Sequence, residues 1–189
     1  MRELPRRGVN NININSTALL LLIVVIMAFG MAVVSPDGEP VFIKGEYYGA
    51  TTTALDLSGM ELNDNDIAPL KDMANLTELN LKGNQISDLS PLSGLADLTG
   101  LDLDENNISD LSQLSGLTNL RYLYLSKNQI SDLEPLSSLM NLEELHLDGN
   151  QISDWSPVEH VPKVAGRPPD NSFKFKIKTG HINAGTFFI

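Results

Sequence analysis

The stretch NQISDL at residues 84–89 decides the fold, because related stretches recur at a fixed interval along the chain. They are NNISDL at 106–111, NQISDL at 128–133 and NQISDW at 150–155. The asparagines that open the four stretches stand 22 residues apart; they are Asn84, Asn106, Asn128 and Asn150. A period of about 20 to 30 residues is typical of stacked coils, each of which buries its apolar face only against its neighbours.

The repeated unit is much longer than six residues. Four units fill 76–97, 98–119, 120–141 and 142–163, and each has leucine or another apolar residue at positions 1, 4, 6, 11, 14, 17 and 20. An atypical unit of 24 residues precedes them at 52–75, with Met60 where asparagine is expected. The repeats therefore cover residues 52–164 and predict about five coils.

The spacing of leucines predicts the shape of one coil. Leu79 and Leu81 alternate with polar residues, which is the period of a strand with one buried face. Leu89, Leu92 and Leu95 recur every three residues, which suits a short 3₁₀ or helical segment. The predicted fold is an α/β, curved, right-handed solenoid with parallel strands on its concave face and the short segments on its convex face.

The repeated asparagine has a structural explanation. Each coil turns sharply after its strand and leaves backbone groups without a partner in the sheet, and an asparagine side chain carries both donors and an acceptor. We expect Asn84, Asn106, Asn128 and Asn150, here called the asparagine column, to satisfy those groups along the solenoid.

The pattern LxxLxLxxNxIxDLxPLxxLxx over residues 52–164 resembles the 22-residue leucine-rich repeat of bacterial internalins and of eukaryotic phosphatase-regulating repeat proteins. The resemblance implies a leucine-rich-repeat solenoid that binds a protein on its concave strand face. It also implies a secretion signal, which internalins carry.

Residues 1–35 are predicted to be a signal peptide or an N-terminal membrane anchor. Residues 18–34 are 17 residues without charge, which as a helix would span about 25 Å. Arg6 and Arg7 precede them and predict that the N-terminus stays in the cytoplasm while the rest crosses. Both an uncleaved anchor in the membrane through residues 18–34 and a cleaved, secreted form place the repeats outside the cytoplasm.

Two further segments flank the repeats. Residues 36–51 contain the apolar side chains Val41, Phe42 and Ile43 and are predicted to cap the N-terminal end of the solenoid, which would otherwise expose its core. Residues 165–189 are predicted to form a linker followed by a capping strand at 172–178, where apolar residues alternate with lysine.

Charge and composition exclude several functions. The net charge is −11, and residues 36–162 carry 22 acidic and 5 basic side chains, which repel nucleic acid phosphates. There is no cysteine, the three histidines lie at no metal-binding spacing, and no catalytic motif is present. We predict no nucleic-acid partner, no cofactor, no metal and no enzymatic activity.

The side chains that flank the buried leucines of each strand point to the concave face. Tyr122 and Tyr124 put two amphipathic rings near its centre, and exposed aromatic rings among charges are typical of binding hot spots, although tyrosine is also a good strand former. The predicted protein-binding residues are Glu78, Asn80, Lys82, Asp102, Asp104, Tyr122, Tyr124, Glu144, His146 and Asp148.

The sequence thus favours an extracytoplasmic module that binds a protein ligand. Two alternatives stay open. One is an intracellular regulatory subunit of an enzyme such as a phosphatase, which would require residues 1–35 to remain in the cytosol. The other is a spacer module with no specific ligand.

Overall fold

A computed structural model describes residues 39–168 of the chain. It has eight short strands, one helix and five 3₁₀ segments within that range. The strands are β1 (Val41–Ile43), β2 (Glu46–Tyr48), β3 (Ala54–Asp56), β4 (Glu78–Asn80), β5 (Gly100–Asp102), β6 (Tyr122–Tyr124), β7 (Glu144–His146) and β8 (Lys163–Ala165). The helix is α1 (Asp64–Ile67), and the 3₁₀ segments are Ala68–Asp72, Ser90–Leu92, Ser112–Leu114, Glu134–Leu136 and Ser156–Val158.

Strands β3 to β8 form one parallel sheet in sequence order, and a 3₁₀ segment follows each of β3 to β7. The middle residues of the strands pair across the sheet, so that one column of apolar side chains runs through all six coils: Leu55, Leu79, Leu101, Leu123, Leu145 and Val164. The predicted solenoid of strands and 3₁₀ segments is confirmed.

The core is a single apolar cluster that runs the length of the stack. Leu89, Leu92 and Leu95 are each at most 1% exposed, which is the burial that their three-residue spacing predicts. Full burial of one leucine side chain contributes roughly 1.5–3 kcal/mol. Because the three units at 76–97, 98–119 and 120–141 supply the same set of buried apolar side chains, they contribute similarly to the stability of the stack.

An aspartate fixes the start of each of the four later 3₁₀ segments. In the SD pair that precedes the segment, Asp88 Oδ1 accepts a hydrogen bond from the Ser90 backbone N–H at 2.8 Å. The equivalent carboxylates Asp110, Asp132 and Asp154 do the same at 2.8–2.9 Å. The repeated aspartate therefore satisfies an otherwise free backbone donor at the beginning of a helical turn.

The two ends of the stack close differently. At the N-terminal end, the antiparallel hairpin β1–β2 places Val41 and Ile43 in the core at 6% and 1% exposure. At the C-terminal end, Glu144 pairs with Lys163, a step of 19 residues instead of the 22 between Tyr122 and Glu144. This shorter last coil adds a sixth strand beyond the five strand rows of the sequence, and it leaves Trp155 only partly buried.

The signal or anchor segment 1–35 and the capping strand at 172–178 lie outside the described residues. Between residues 39 and 168, no helix combines the length and the apolar character needed to cross a bilayer.

Candidate functional site

The concave face is built from the strand side chains that point away from the core. Its middle row follows the central leucine of each strand and consists of Asp56, Asn80, Asp102, Tyr124 and His146. A second row precedes that leucine and consists of Ala54, Glu78, Gly100, Tyr122, Glu144 and Lys163. The parallel register thus places the predicted binding residues of neighbouring coils side by side, about 4.8 Å apart.

Three members of the middle row also hold the turn that follows their strand. Oδ1 of Asp56, of Asn80 and of Asp102 each accepts a hydrogen bond at 3.0 Å from the backbone N–H two residues later. This Asx turn was not predicted from the sequence, although aspartate or asparagine at a turn is its usual signal. Tyr124 has no such acceptor, and in its coil Asp104 Oδ1 accepts the Ser126 N–H instead, at 2.6 Å.

Asp102 has the most perturbed carboxyl group of the face. The pKa of Asp102 is raised to about 6, mainly by burial and also by the nearby carboxylates Asp104 and Asp56. The hydrogen bond from the Asp104 N–H and the charge of Lys82 act in the opposite direction. A carboxyl group at this position is therefore partly protonated near pH 6.

The two tyrosines are half-buried and have different neighbours. The guanidinium carbon of Arg121 lies 5.5 Å from the ring centroid of Tyr122, and the Tyr122 hydroxyl donates to Glu143 Oε2 at 3.3 Å. Tyr124 meets the His146 ring edge-on, with centroids 4.8 Å apart. Burial, followed by the charge of Glu144, raises the pKa of the Tyr124 hydroxyl, so this hydroxyl stays protonated at neutral pH.

Glu144 is held between two partners. Its Oε1 lies 2.7 Å from His146 Nε2 and accepts a hydrogen bond from Lys163 Nζ. The hydrogen bond from Lys163 is the main cause that lowers the pKa of Glu144. Lys163 was not predicted as part of the face, because the sequence placed it at the end of a regular 22-residue unit, and only the shortened last coil brings it onto the sheet.

The remaining charges of the face are unevenly paired. Lys82 Nζ lies 3.7 Å from Asp104 and 3.8 Å from Glu105, and Glu105 also pairs with Lys127 at 2.9 Å. Glu78 and Asp148, both predicted to bind, form no ion pair with any other residue in 39–168. The face therefore presents more carboxylates than its own cations neutralise.

The asparagine column lies behind the strands, in the turns. Asn106 Oδ1 accepts from the Ile86 N–H at 3.1 Å, and its Nδ2 donates to the carbonyls of Leu81 and Leu103 at 3.0 and 3.2 Å. The pattern repeats in the other coils, and Asn84, Asn106 and Asn128 are 5–7% exposed while Asn150 is partly buried. Each amide links its own coil to the preceding one, which is a structural role.

A second set of asparagines, which is exposed, forms backbone hydrogen bonds that were not predicted from the sequence. Nδ2 of Asn75, Asn119 and Asn141 donates at 2.8–3.1 Å to a backbone carbonyl of the preceding coil. Near them lies an open groove of about 280 Å³, which the ion pair of Arg121 and Glu143 lines. Within residues 39–168, no group of His, Asp or Glu side chains is placed to hold a metal ion.

Comparison with known proteins agrees with this architecture. A family model described as leucine-rich repeats, in two copies, matches residues 74–117 and 118–160. No curated protein sequence is significantly similar to the chain.

Many solved structures are similar to the chain, among them the following three. Internalin C2 from Listeria monocytogenes is 40% identical, with a TM-score of 0.59, over 61% of this chain and 52% of the internalin. An internalin, inlF, from the same organism is 31% identical, with a TM-score of 0.50, over 61% of this chain and 42% of its own. The leucine-rich-repeat ectodomain of the receptor kinase SOBIR1 from Arabidopsis thaliana is 27% identical, with a TM-score of 0.52, over 81% and 94%.

Residues 74–160 therefore consist of leucine-rich repeats. They are similar to the repeats of the two internalins, and domains of this kind are typically non-catalytic. The chain spans about half the length of the internalin structures that it matches.

Proposed function

We propose that this protein is an extracytoplasmic binding module that holds a protein ligand on its concave face and performs no catalysis. The observation that carries the proposal is the pair of half-buried tyrosines, Tyr122 and Tyr124, at the middle of a face that core packing leaves free. Tyrosine is enriched among the residues that dominate interface energetics, because it buries a large rigid ring and keeps a polar tip.

The location outside the cytoplasm is supported by two sequence features. Residues 18–34 are apolar and uncharged, and Arg6 and Arg7 precede them on the side that remains in the cytoplasm. The similarity of the repeats to those of two bacterial internalins points in the same direction.

The size of the face limits how the ligand binds. Six strands give a sheet about 24 Å wide, and the strands with their turns are about 17 Å long, so the projected area is roughly 400 Å². A standard interface buries about 800 Å² per partner. The ligand must therefore also contact the rims, where Arg121 and Glu143 lie beside Tyr122, or several copies must act together on one surface.

The test compares two double variants that each remove two exposed or half-exposed aromatic rings. Tyr122→Ala with Tyr124→Ala changes the concave face, and Phe42→Ala with Tyr47→Ala changes the hairpin, where the two rings are 50% and 43% exposed. Each protein is used as bait in cross-linking capture from extracellular fractions, followed by measurement of the affinity for the captured ligand.

We expect the concave double variant to weaken binding by at least tenfold, with a thermal midpoint close to that of the parent, and the hairpin variant to bind normally. Equal affinity of both variants for the ligand would mean that the binding site lies outside the concave face. Absence of any saturable ligand for the parent protein would favour the spacer interpretation.

A further inference from the structure

We infer that the concave face recognises a cationic segment of its protein ligand, and that one arginine side chain of this segment lies against Tyr122 and Tyr124. The inference rests on the proposed function, because it names the chemistry of the ligand that the same face would hold. It is argued from the charge balance of the face, from the row that holds Glu78 and Tyr122, and from the chemistry of the two tyrosine rings.

The first step is charge complementarity. Two lysines on the face are already engaged, Lys82 with Asp104 and Lys163 with Glu144. The other carboxylates of the face have no ion-pair partner among residues 39–168; they are Asp56, Glu78, Asp102 and Asp148. A ligand that covered this face without bringing positive charge would bury unpaired carboxylates, which is strongly unfavourable.

The second step is the row of Glu78, Gly100 and Tyr122. These residues pair across three neighbouring strands, so Glu78 and Tyr122 stand two strand spacings apart, about 9.6 Å. Gly100 between them is buried, and a methyl group added there would lie 3.7 Å from Glu78 Cγ. The row therefore presents a carboxylate side chain and an aromatic ring as neighbours across a covered glycine.

The third step is the chemistry of the two tyrosines and their neighbours. The ring of Tyr122 already contacts a guanidinium group, since the guanidinium carbon of Arg121 lies 5.5 Å from its centroid at the rim. Tyr124 pairs with the carboxylate residue Asp102 on the neighbouring strand. A planar guanidinium group satisfies both kinds of neighbour, because it stacks on aromatic rings and donates in pairs to carboxylates.

The ligand and a proton should compete at Asp102. Burial and the carboxylates Asp56 and Asp104 raise the pKa of Asp102 to about 6, against the opposing charge of Lys82. A bound cation would return that pKa towards its ordinary value, so binding would release a proton and tighten as the pH rises from 5 to 7. The groups that face Asp102 are Asp56, Lys82, Asp104 and Tyr124, and His146 lies beyond Tyr124 in the same row.

The experiment measures the affinity of the purified full chain for fluorescent octapeptides of alternating glycine and arginine, glycine and lysine, or glycine and glutamate. The salt concentration is kept near the physiological value, because salt screens the diffuse attraction of an acidic protein. Glu78→Gln with Asp102→Asn removes two of the carboxylates of the face that have no ion-pair partner within residues 39–168. Asp72→Asn with Glu134→Gln is the matched control, since both residues are exposed and lie on the 3₁₀ side.

We expect the arginine peptide to bind more tightly than the lysine peptide, and the glutamate peptide not to bind. The double variant Glu78→Gln with Asp102→Asn should lose at least tenfold in affinity, and the control less than twofold. Affinity should rise up to about tenfold between pH 5 and pH 7. Asp102→Asn alone should remove most of that rise, which would identify Asp102 and not His146 as its cause.

Three results would overturn the inference. Equal losses in the two double variants would mean that only the overall negative charge attracts the peptide. Tighter binding after replacement of Lys174, Lys176 and Lys178 by glutamine would mean that these lysines of the chain itself compete with the peptide for the concave face. If the arginine peptide does not bind while the tyrosine double variant still loses the captured ligand, the proposed function stands and the cationic ligand is wrong.

Discussion

The asparagine column and the middle row of the concave face run through the same coils, yet they differ in how strictly each residue is determined. The column has asparagine in four successive coils, at 84, 106, 128 and 150. The middle row changes at almost every step, from Asp56 through Asn80, Asp102 and Tyr124 to His146. One periodic backbone therefore fixes the residue at one position and leaves it variable at another.

Access to water explains the difference. Asn128 is 5% exposed, and its amide provides partners for the Ile108 N–H and for the carbonyls of Leu103 and Leu125. The two carbonyls also accept from the neighbouring asparagines Asn106 and Asn150, whereas Asn128 is the side-chain partner of the Ile108 N–H. A buried unpaired group costs about 1–3 kcal/mol. In the middle row, solvent reaches the turn, and its backbone donor is satisfied by aspartate, by asparagine or by a residue of the preceding coil.

The largest effect is expected from Asn106→Ala. The substitution leaves the Ile86 N–H without its side-chain partner, while the carbonyls of Leu81 and Leu103 each keep one of their two donors, from Asn84 and Asn128. We expect a loss of about 2–3 kcal/mol in the free energy of unfolding. Asn150→Ala is the matched control, because the same amide is only partly buried in the last complete coil. It should cost about half as much in urea unfolding, and equal costs would show that burial does not set the difference.

A smaller effect of opposite sign is expected from Asp102→Asn. The folded pKa of Asp102 is about 6, above its ordinary value of 3.8, so the folded state holds the proton more tightly than the unfolded state. Ionisation of Asp102 therefore destabilises the fold as the pH rises from about 4 to 6. Asn80 shows that asparagine can form the same turn, with its Oδ1 accepting from the Lys82 N–H.

We expect Asp102→Asn to raise the free energy of unfolding at pH 7.5 by on the order of 1 kcal/mol, after allowance for solvent screening of a partly exposed group. The gain should shrink towards zero at pH 4, as followed by urea unfolding at several pH values. A gain of the same size at both pH values would mean that the charge of Asp102 is not its cause.

The sequence predicts the asparagine column better than the middle row of the concave face, because the column is buried and the row is open to solvent. A fixed period of 22 residues sets the register, and the register places Leu79 beside Leu101 and Leu123 without further information. The six-residue match around Asn84 predicts a buried turn because burial leaves few chemical solutions. The strand–3₁₀ solenoid and its leucine column were therefore predicted in detail.

The remaining features depend on distances between coils that no repeat pattern encodes. Lys163 reaches Glu144 because the last coil is three residues shorter than the others. Asp102 and Asp104 were predicted only as binding residues, and their hydrogen bonds to the Asp104 and Ser126 N–H groups depend on the side-chain conformation. That these side chains bind a ligand stays a prediction.

The smallest effect is expected from Tyr124→Asn, which introduces into the middle row the residue type that forms the asparagine column. The variant loses the edge contact between Tyr124 and His146, worth about 0.5–1.5 kcal/mol. It gains an acceptor for the Ser126 N–H in the arrangement that Asn80 uses, and this N–H is already satisfied by Asp104.

The net change in the free energy of unfolding should therefore stay within about 1 kcal/mol. The neighbouring variant Leu123→Asn provides the contrast, since Leu123 is fully buried and an amide there would have no partner. A cost for Tyr124→Asn as large as that for Leu123→Asn would mean that core packing also determines the row. The freedom of the concave face to acquire a ligand would then be lost, because any substitution that improved binding would first have to preserve the fold.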